Sequence, residues 1–511
     1  MNPETPTRAG RRETAARTVV LSLVAHTNVG KTTLARTLLR RDVGEVFDHA
    51  HVTDEAEPFV LLENAAGARV VLVDTPGFGD SARLWQRLHG QAHPVGWLVA
   101  QVWDRFADRA LFCSQQAVRH VRDESDVVLY LVNASEDPHD AGYVDPELRI
   151  LGWIGRPVLV LLNQTGVPGD AATRAADVTR WRVALAEHPV VRETLALDAF
   201  TRCWVQEGLL FERIRAVLPD AADRELLTAV LARWRNEHAE ILHGAVDAMA
   251  RLLASAADDA EPASRSAFAP RERRRHAEAL ARRLEHALAD TNDALISGHG
   301  LTGEAAEELR IELADVGGDA GAQPWRHPIF GGLVGGAIGG LAADLAHAGL
   351  TLGGGMLAGA LLGAAGARGL TLGMELLRGE QTPRVAWTVP FLDRLTTDTL
   401  LRYLAVAHFG RGGGSYRARE HPATWRAAVE HALAPQRQAI QAAFGIARKT
   451  PDDSGRRDAA RALVAPLEAA TRAALRELYP EAAELLAASS APEARGAGLD
   501  RDPGAAASAR R

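Results

Sequence analysis

The sequence Ala25-His26-Thr27-Asn28-Val29-Gly30-Lys31-Thr32 stands between an apolar run, Thr18 to Val24, and a helix-forming stretch, Thr33 to Arg40. A strand, a loop ending in Gly-Lys-Thr and a helix occur in the order that a phosphate-binding loop requires. Loop amides and the helix N-terminus direct donors and a partial positive charge to one place, where phosphate oxygens can lie. The usual pattern opens with glycine, so Ala25 fits only if its backbone angles are ordinary.

The sequence pattern predicts roles for the last two residues of the loop. Lys31 is expected to reach the β- and γ-phosphates of a nucleotide, and the Thr32 hydroxyl is expected to ligate Mg²⁺. The residues of this stretch that are predicted to bind the nucleotide are His26, Thr27, Asn28, Val29, Gly30, Lys31, Thr32 and Thr33.

Two later segments have the composition of nucleotide-responsive loops. The polar stretch Val43 to Glu57 carries Thr53, which either closes over Mg²⁺ and the γ-phosphate or is an ordinary loop threonine. An apolar run then ends in Asp74-Thr75-Pro76-Gly77. Asp74 is expected to hold Mg²⁺ through water, and the Gly77 amide to sense the γ-phosphate. The predicted catalytic residues are therefore Lys31, Thr53 and Gly77.

Length, composition and cysteine content indicate the general class of protein. The 511-residue chain is 47% hydrophobic and 24% charged, which is ordinary for a globular protein of several domains. A net charge of −7 gives no indication of nucleic-acid binding. Cys113 and Cys203 are far apart and form no metal-ligand pattern, as expected in a reducing compartment. Residues 1–17 lack an apolar segment, so we expect a disordered lead and a cytoplasmic protein, with association with the inner membrane left open.

The first part of the chain alternates strand-like and helix-like segments. The runs Phe59 to Asn64 and Arg69 to Asp74 predict a hairpin, and Asp126 to Asn133 and Pro157 to Asn163 predict buried parallel strands. Thr194 to Phe200 is a weaker strand candidate. The pattern predicts a doubly wound α/β domain with a mostly parallel sheet over residues 18–219. Within it, the amphipathic segment 81–122 is predicted to form two helices.

The strand ending at Asn163 completes a resemblance to a known family. The phosphate loop, Thr53, Asp74-Thr75-Pro76-Gly77 and Asn163 occur in the order found in translation-factor-related P-loop GTPases, near the Era and TrmE branch. In that branch an Asn-Lys-x-Asp motif binds guanine. Here Asn163 matches, Gln164 replaces the lysine and Gly166 replaces the aspartate. The resemblance implies that Asn163 and Gln164 contact the base. The missing carboxylate weakens the case for guanine, so an ATP-using enzyme stays an alternative.

Two further positions resemble one part of this branch. Phe78 stands where Ras-like enzymes carry a glutamine that orients water, and Era, TrmE and FeoB relatives carry a hydrophobic residue. Asn28 stands where potassium-activated members carry an asparagine ligand, so the resemblance implies a K⁺ beside the phosphates; a turn residue is the alternative. The whole chain is similar to a group of bacterial proteins in which a GTPase domain precedes an uncharacterised C-terminal domain.

From residue 220 the strand-like runs stop and amphipathic helix patterns continue to residue 487, followed by a tail, 488–511, that is expected to be disordered. The predicted helices are 222–255, 271–296, 303–315, 392–408, 422–448 and 454–487. Leu226, Val230, Leu231 and Trp234 recur at helical spacing and are expected in the core.

A glycine-rich segment, 328–373, interrupts this helical half. Gly331, Gly335 and Gly339 recur every four residues, which predicts a glycine-zipper helical hairpin. Asp344 lies near its middle. Either the hairpin enters a bilayer, or it packs inside a soluble core. Its short first arm and Asp344 argue against a full membrane span, and the glycine spacing argues for membrane contact.

These observations predict a GTP-binding protein that hydrolyses GTP with Mg²⁺ as a conformational switch, coupled to a helical domain. The expected partners are GTP and GDP, with a membrane surface and self-association left open and no nucleic acid indicated. The alternative is a membrane-associated assembly protein whose nucleotide site is degenerate.

Overall fold

A computed structural model describes residues 17–26, 29–39, 57–89, 91–100, 109–164, 171–197, 203–262, 270–314, 374–377, 384–409 and 423–487. Several predicted features lie outside these ranges. They are Thr27, Asn28, Thr53, Gly166, the glycine-rich segment 328–373, residues 1–16 of the predicted lead and the tail 488–511.

A six-stranded sheet organises the N-terminal part. Its strands are β1 (Thr18–Ala25), β2 (Glu57–Glu63), β3 (Arg69–Asp74), β4 (Val127–Asn133), β5 (Val158–Asn163) and β6 (Val191–Ala196). The strand order is β2-β3-β1-β4-β5-β6, and all neighbours are parallel except the β2–β3 hairpin. The mostly parallel sheet and its hairpin confirm the prediction. The carboxyl ends of β1, β3 and β5 lie at one edge, where a ligand site is expected in such a fold.

Helices cover both faces of this sheet. They are α1 (Lys31–Leu39), α2 (Ser81–Leu88), α3 (Pro94–Ala100), α4 (Arg109–Asp123), α5 (Val144–Ile154), α6 (Ala171–Ala184) and α7 (Trp204–Val217). In β4, Leu129 and Leu131 belong to one apolar cluster, and Tyr130 and Val132 belong to the other. Because alternate side chains enter opposite clusters, the strands read as unbroken apolar runs.

Two details of the sequence prediction change. The stretch 81–122 contains three helices in its described parts rather than two, because Pro94 begins a separate helix, α3. The sixth strand occupies Val191–Ala196 and so begins before the predicted Thr194.

The C-terminal half is mainly helical. Its helices are α8 (Ala221–Asp258), α9 (Pro270–Gly298), α10 (Gly303–Ala314), α11 (Val389–Ala407), α12 (Ala423–Leu433), α13 (Arg437–Lys449), α14 (Asp453–Leu478) and α15 (Ala483–Ala487). The predicted helix 422–448 is divided by a short 3-10 turn, Ala434–Gln436, where Pro435 lacks an amide donor. The predicted helix 454–487 is likewise divided, at Pro480–Ala482.

A small sheet inside this half was missed by the sequence analysis. Strands β7 (Ala260–Pro262), β8 (Met374–Leu377) and β9 (Arg384–Trp387) pair antiparallel in the order β7-β9-β8. The prediction that strands stop after residue 220 is therefore wrong. These strands are three or four residues long, too short for a periodic signal.

One apolar core joins the two halves. The cluster that contains Leu21 of β1 continues through α7 and α8 to Leu467 of α14. Leu226, Val230, Leu231 and Trp234 of α8 are buried, as predicted. A methyl group added at Gly208 of α7 would lie 2.8 Å from the Trp234 ring, so α7 approaches α8 closely. The helical half therefore packs directly against one face of the sheet.

Polar contacts also cross between the halves. Arg17, just before β1, donates to Asp220, which caps α8, and to Asp223 in its first turn. Arg174 of α6 donates to the Leu478 carbonyl and lies over the Tyr479 ring, with 5.1 Å between the guanidinium carbon and the ring centroid. Within the described ranges, no helix combines the length and apolar character that crossing a membrane requires.

Asp398 of α11 is a buried carboxyl whose titration should be visible in stability. Burial raises its pKa from 3.8 to about 6, although Arg426, Arg402 and Arg394 oppose the shift. The folded protein thus holds this proton more tightly than the unfolded chain. The resulting stabilisation is complete only below the unfolded pKa of 3.8 and is lost as pH rises through 6, up to roughly 3 kcal/mol. We expect Asp398→Asn to remove this part of the pH dependence in urea titrations at several pH values.

Asp458→Asn is the matched control, because it removes a carboxyl that is 56% exposed on α14. An Asp398→Asn protein whose free energy of unfolding still fell like that of the wild type over this pH interval would contradict the assignment.

Candidate functional site

The phosphate-binding loop leads from the end of β1 to the start of α1. Ala25 ends β1 in extended backbone, so its side chain is accommodated as the sequence analysis required. Gly30 has a φ of +94°, a conformation that favours glycine, and its carbonyl accepts from the Leu34 amide. Helix α1 begins at the next residue, Lys31, so its N-terminus faces the loop.

A hydroxyl and a carboxylate meet beside Lys31. The Thr32 hydroxyl donates to Asp74 Oδ2 at 2.7 Å, which joins the start of α1 to the end of β3. Burial lowers the pKa of the Lys31 ammonium, and the carboxylates of Asp74 and Glu147 oppose that shift. Oxygen ligands of this kind suit Mg²⁺, so the residues present fit that ion.

Asn163, at the end of β5, supports the loop. Its side chain is fully buried, and its Nδ2 donates to the Val29 carbonyl at 2.8 Å. A Cβ added at Gly30 would lie 2.7 Å from the same nitrogen. The next residue, Gln164, has a φ of +55°. The predicted base-contacting pair therefore lies against the phosphate loop, and Asn163 fixes the loop backbone.

The segment after Asp74 runs alongside β1. The Thr75 hydroxyl donates to the Leu23 carbonyl, and the Phe78 amide donates to the Ala25 carbonyl at 2.9 Å. The Phe78 side chain is fully buried in the cluster under α2, so it is a core residue. Gly77 is buried between these contacts. In this conformation the segment is bonded to the strand that precedes the phosphate loop.

The structure places the remaining predicted residues as follows. Thr33 is buried in the first turn of α1. His26 turns its ring toward Glu147 of α5, with Nδ1 2.8 Å from Glu147 Oε1. The sequence analysis did not single out Glu147, since one glutamate in a helix carries no pattern that marks it. Nor did it single out Ser81 or Tyr130, which contact the same carboxylate.

Comparison with protein families separates two regions. Residues 20–164 match the family described as 50S ribosome-binding GTPase. Residues 191–478 match a family described as a domain of unknown function, DUF3482. The second match begins at β6 and therefore includes the last strand of the sheet.

Curated relatives match the N-terminal part. GTPase Der of Klebsiella pneumoniae subsp. pneumoniae is 26% identical over 226 residues, which cover 43% of this chain and 39% of Der. GTPase Der of Cronobacter sakazakii is 26% identical over 219 residues, covering 42% and 37%. The chain thus spans about two fifths of the length of the curated relatives it matches.

Solved structures give weaker likenesses. Aquifex aeolicus Era bound to GDP·AlF4⁻ is 20% identical, with a TM-score of 0.29 over 40% of this chain and 58% of Era. Era in complex with MgGDPNP and a segment of ribosomal RNA is 19% identical, with a TM-score of 0.30 over the same shares. The RNA is a component of that Era complex.

The family match and the Der relatives together confirm the prediction of a translation-factor-related P-loop GTPase domain, and they place it in the Era- and Der-like class. The narrower Era and TrmE branch stays a prediction. GTP-binding proteins of this class hydrolyse GTP and generally use Mg²⁺. A domain of unknown function follows it in the chain.

Proposed function

Because the chain belongs to the DUF3482 family and carries a P-loop GTPase domain in front of that region, we propose that it is a GTP-driven switch coupled to its helical half. The N-terminal domain binds GTP with Mg²⁺ and hydrolyses it. The bound nucleotide then sets the conformation of the segments beside the phosphates, and the helical half responds.

The Thr32–Asp74 contact beside Lys31 is the observation that carries this proposal. It brings three groups with separate tasks to one edge of the sheet. Lys31 offers a half-buried cation to the β- and γ-phosphates, and the α1 N-terminus adds its amides. Thr32 and Asp74 would hold Mg²⁺, which would neutralise charge on the phosphates.

The remaining predicted residues complete the proposed site. Thr53 closes over the γ-phosphate, and the Gly77 amide donates to it. Asn163 contacts the base while it supports Val29, and Gln164 lies over the base. Phe78 cannot orient water, since its ring has no hydrogen-bonding group and is buried. We therefore propose, on the resemblance to the Era and TrmE branch, that a K⁺ held by Asn28 supplies charge that an arginine otherwise supplies.

Coupling to the helical half is supported by the packing. Helix α6 follows the segment after Gln164, and its Arg174 contacts Leu478 and Tyr479 at the end of α14. Movement of the proposed base-binding residues, Asn163 and Gln164, would therefore reach α14 through α6. The shared core along α7 and α8 provides a second contact between the halves.

The test is nucleotide binding by the full chain with Mg²⁺, comparing GTP with ATP in KCl and in NaCl. We expect GTP to bind more tightly than ATP and turnover to be faster in KCl. Equal competition by ATP would overturn guanine specificity, and equal turnover in both salts would overturn the K⁺ site. Binding of neither nucleotide would overturn the switch. In that case, binding to vesicles of anionic lipid regardless of nucleotide would favour a membrane-associated assembly protein with a degenerate nucleotide site. Ala25, Gly166 and the glycine spacing of 328–373 are its support.

A further inference from the structure

A buried carboxylate lies behind the phosphate loop. Glu147 of α5 has no solvent exposure, and each of its oxygens has a polar partner. Oε2 accepts from the Tyr130 hydroxyl at 2.7 Å, and Oε1 accepts from the Ser81 hydroxyl at 2.6 Å. His26 Nδ1 lies 2.8 Å from Oε1. A carboxylate buried this deeply is costly unless its bonds are made, so the set of partners is strongly constrained.

Two of the three partners of Glu147 belong to segments that the proposed function places beside the nucleotide. His26 is the second residue of the phosphate loop. Ser81 is the first residue of α2, the helix that follows Asp74-Thr75-Pro76-Gly77. Their side chains also approach each other, with 3.4 Å between Ser81 Oγ and His26 Nδ1. Tyr130 belongs to β4 in the middle of the sheet, so the carboxylate is also bonded to a buried central strand.

Stacked rings fix the geometry around this carboxylate. The His26 ring stacks on Tyr143, just before α5, with 4.6 Å between centroids. Further along helices α2 and α5, Trp85 of α2 stacks on Trp153 of α5, with 4.9 Å between ring centroids. Helices α2 and α5 are thus held at two places, by Glu147–Ser81 and by the tryptophan pair.

We propose that Glu147 is a positioning residue that couples the phosphate loop to helix α2 through its bonds to His26 and Ser81. The inference rests on the proposed GTPase function, since it assigns the coupling to that site. The phosphate loop cannot shift without moving His26 against Glu147, and the segment ending at Ser81 cannot shift without breaking the second bond. The carboxylate therefore makes the two segments respond together to the γ-phosphate.

Single substitutions should separate this role from mere folding. Ser81→Ala removes one hydroxyl, and His26→Ala removes one ring, while Glu147 and its bond to Tyr130 remain. We expect each variant to lower kcat about tenfold with a smaller change in KM. Each loses one buried charge-assisted bond, and the proposed role of that bond follows substrate binding. We expect the double variant to lose less than the product of the two effects, because both act through one carboxylate. Glu147→Gln, which keeps an acceptor oxygen, should retain more activity than Glu147→Ala.

Hydrogen exchange in the nucleotide-free protein tests the coupling independently of turnover. His26→Ala should speed amide exchange in α2, and Ser81→Ala should speed exchange at Leu34, whose amide donates to the Gly30 carbonyl of the loop, by about tenfold each. Ser297→Ala in α9 is the matched control. Among the described residues, the Ser297 hydroxyl donates only to the Asp293 and Ala294 carbonyls of its own helix. Exchange that changes solely around the substituted residue would overturn the proposal. If the wild type failed to bind GTP while the exchange coupling persisted, the proposed function alone would fail.

Discussion

Lys31→Ala is expected to lower GTP hydrolysis about 100- to 1,000-fold, the effect of removing one preorganised charge from a transition state. Lys31 lies at the first position of α1, beside the Thr32–Asp74 contact, and burial lowers the pKa of its ammonium. A cation that is poorly hydrated in the free protein gains more from a phosphate than an exposed one does. GTP affinity should therefore fall as well. Single-turnover hydrolysis and equilibrium binding of GTP measure the two effects separately.

The chain offers a matched control for this variant, because its sequence contains two lysines. Lys449, at the end of α13, is exposed, and Lys449→Ala removes the same charge without touching the loop. Thermal unfolding of both variants near the wild-type temperature would exclude loss of fold. Normal binding and hydrolysis by Lys31→Ala would refute the assignment of this loop as the GTPase site.

The phosphate loop and the central strands could be predicted because their signals are local. Gly30, Lys31 and Thr32 are needed in fixed order at one strand–helix junction, and the continuous apolar run of β5 follows from burial on both faces. The position of Asp74 beside the loop could be predicted because an aspartate at the carboxyl end of a neighbouring parallel strand lies at the same edge of the sheet.

What could not be predicted depends on contacts between distant residues. Glu147 becomes special only when the fold brings Ser81, Tyr130 and His26 to its two oxygens. The small sheet needs β7 to pair with β9, more than a hundred residues away, and neither strand has enough residues to show alternation. The packing of α8 against the sheet could not be predicted from the sequence either, because the apolar stripe of α8 would suit any apolar partner.

The second large effect is expected for Gly30→Ala, which should reduce GTP affinity about 100-fold or more. Two independent costs act at this position. An alanine at a φ of +94° is strained by about 1–3 kcal/mol. Its Cβ would also lie 2.7 Å from Asn163 Nδ2, so the buried bond from Asn163 to the Val29 carbonyl must break or the loop must move. Losing that bond costs about 1–3 kcal/mol more. Titration with a fluorescent GTP analogue measures the affinity.

Gly155→Ala separates the strain from the clash. Gly155 caps α5 with a φ of +77°, and a Cβ there meets no atom within 4 Å. This control should lower stability by about 1 kcal/mol and leave GTP binding unchanged. Adding Asn163→Ala to Gly30→Ala should cost less than the two substitutions apart, because the clash is then removed. Additive losses of GTP affinity would mean that Asn163 and Gly30 act independently. The loop conformation would then depend on the glycine alone.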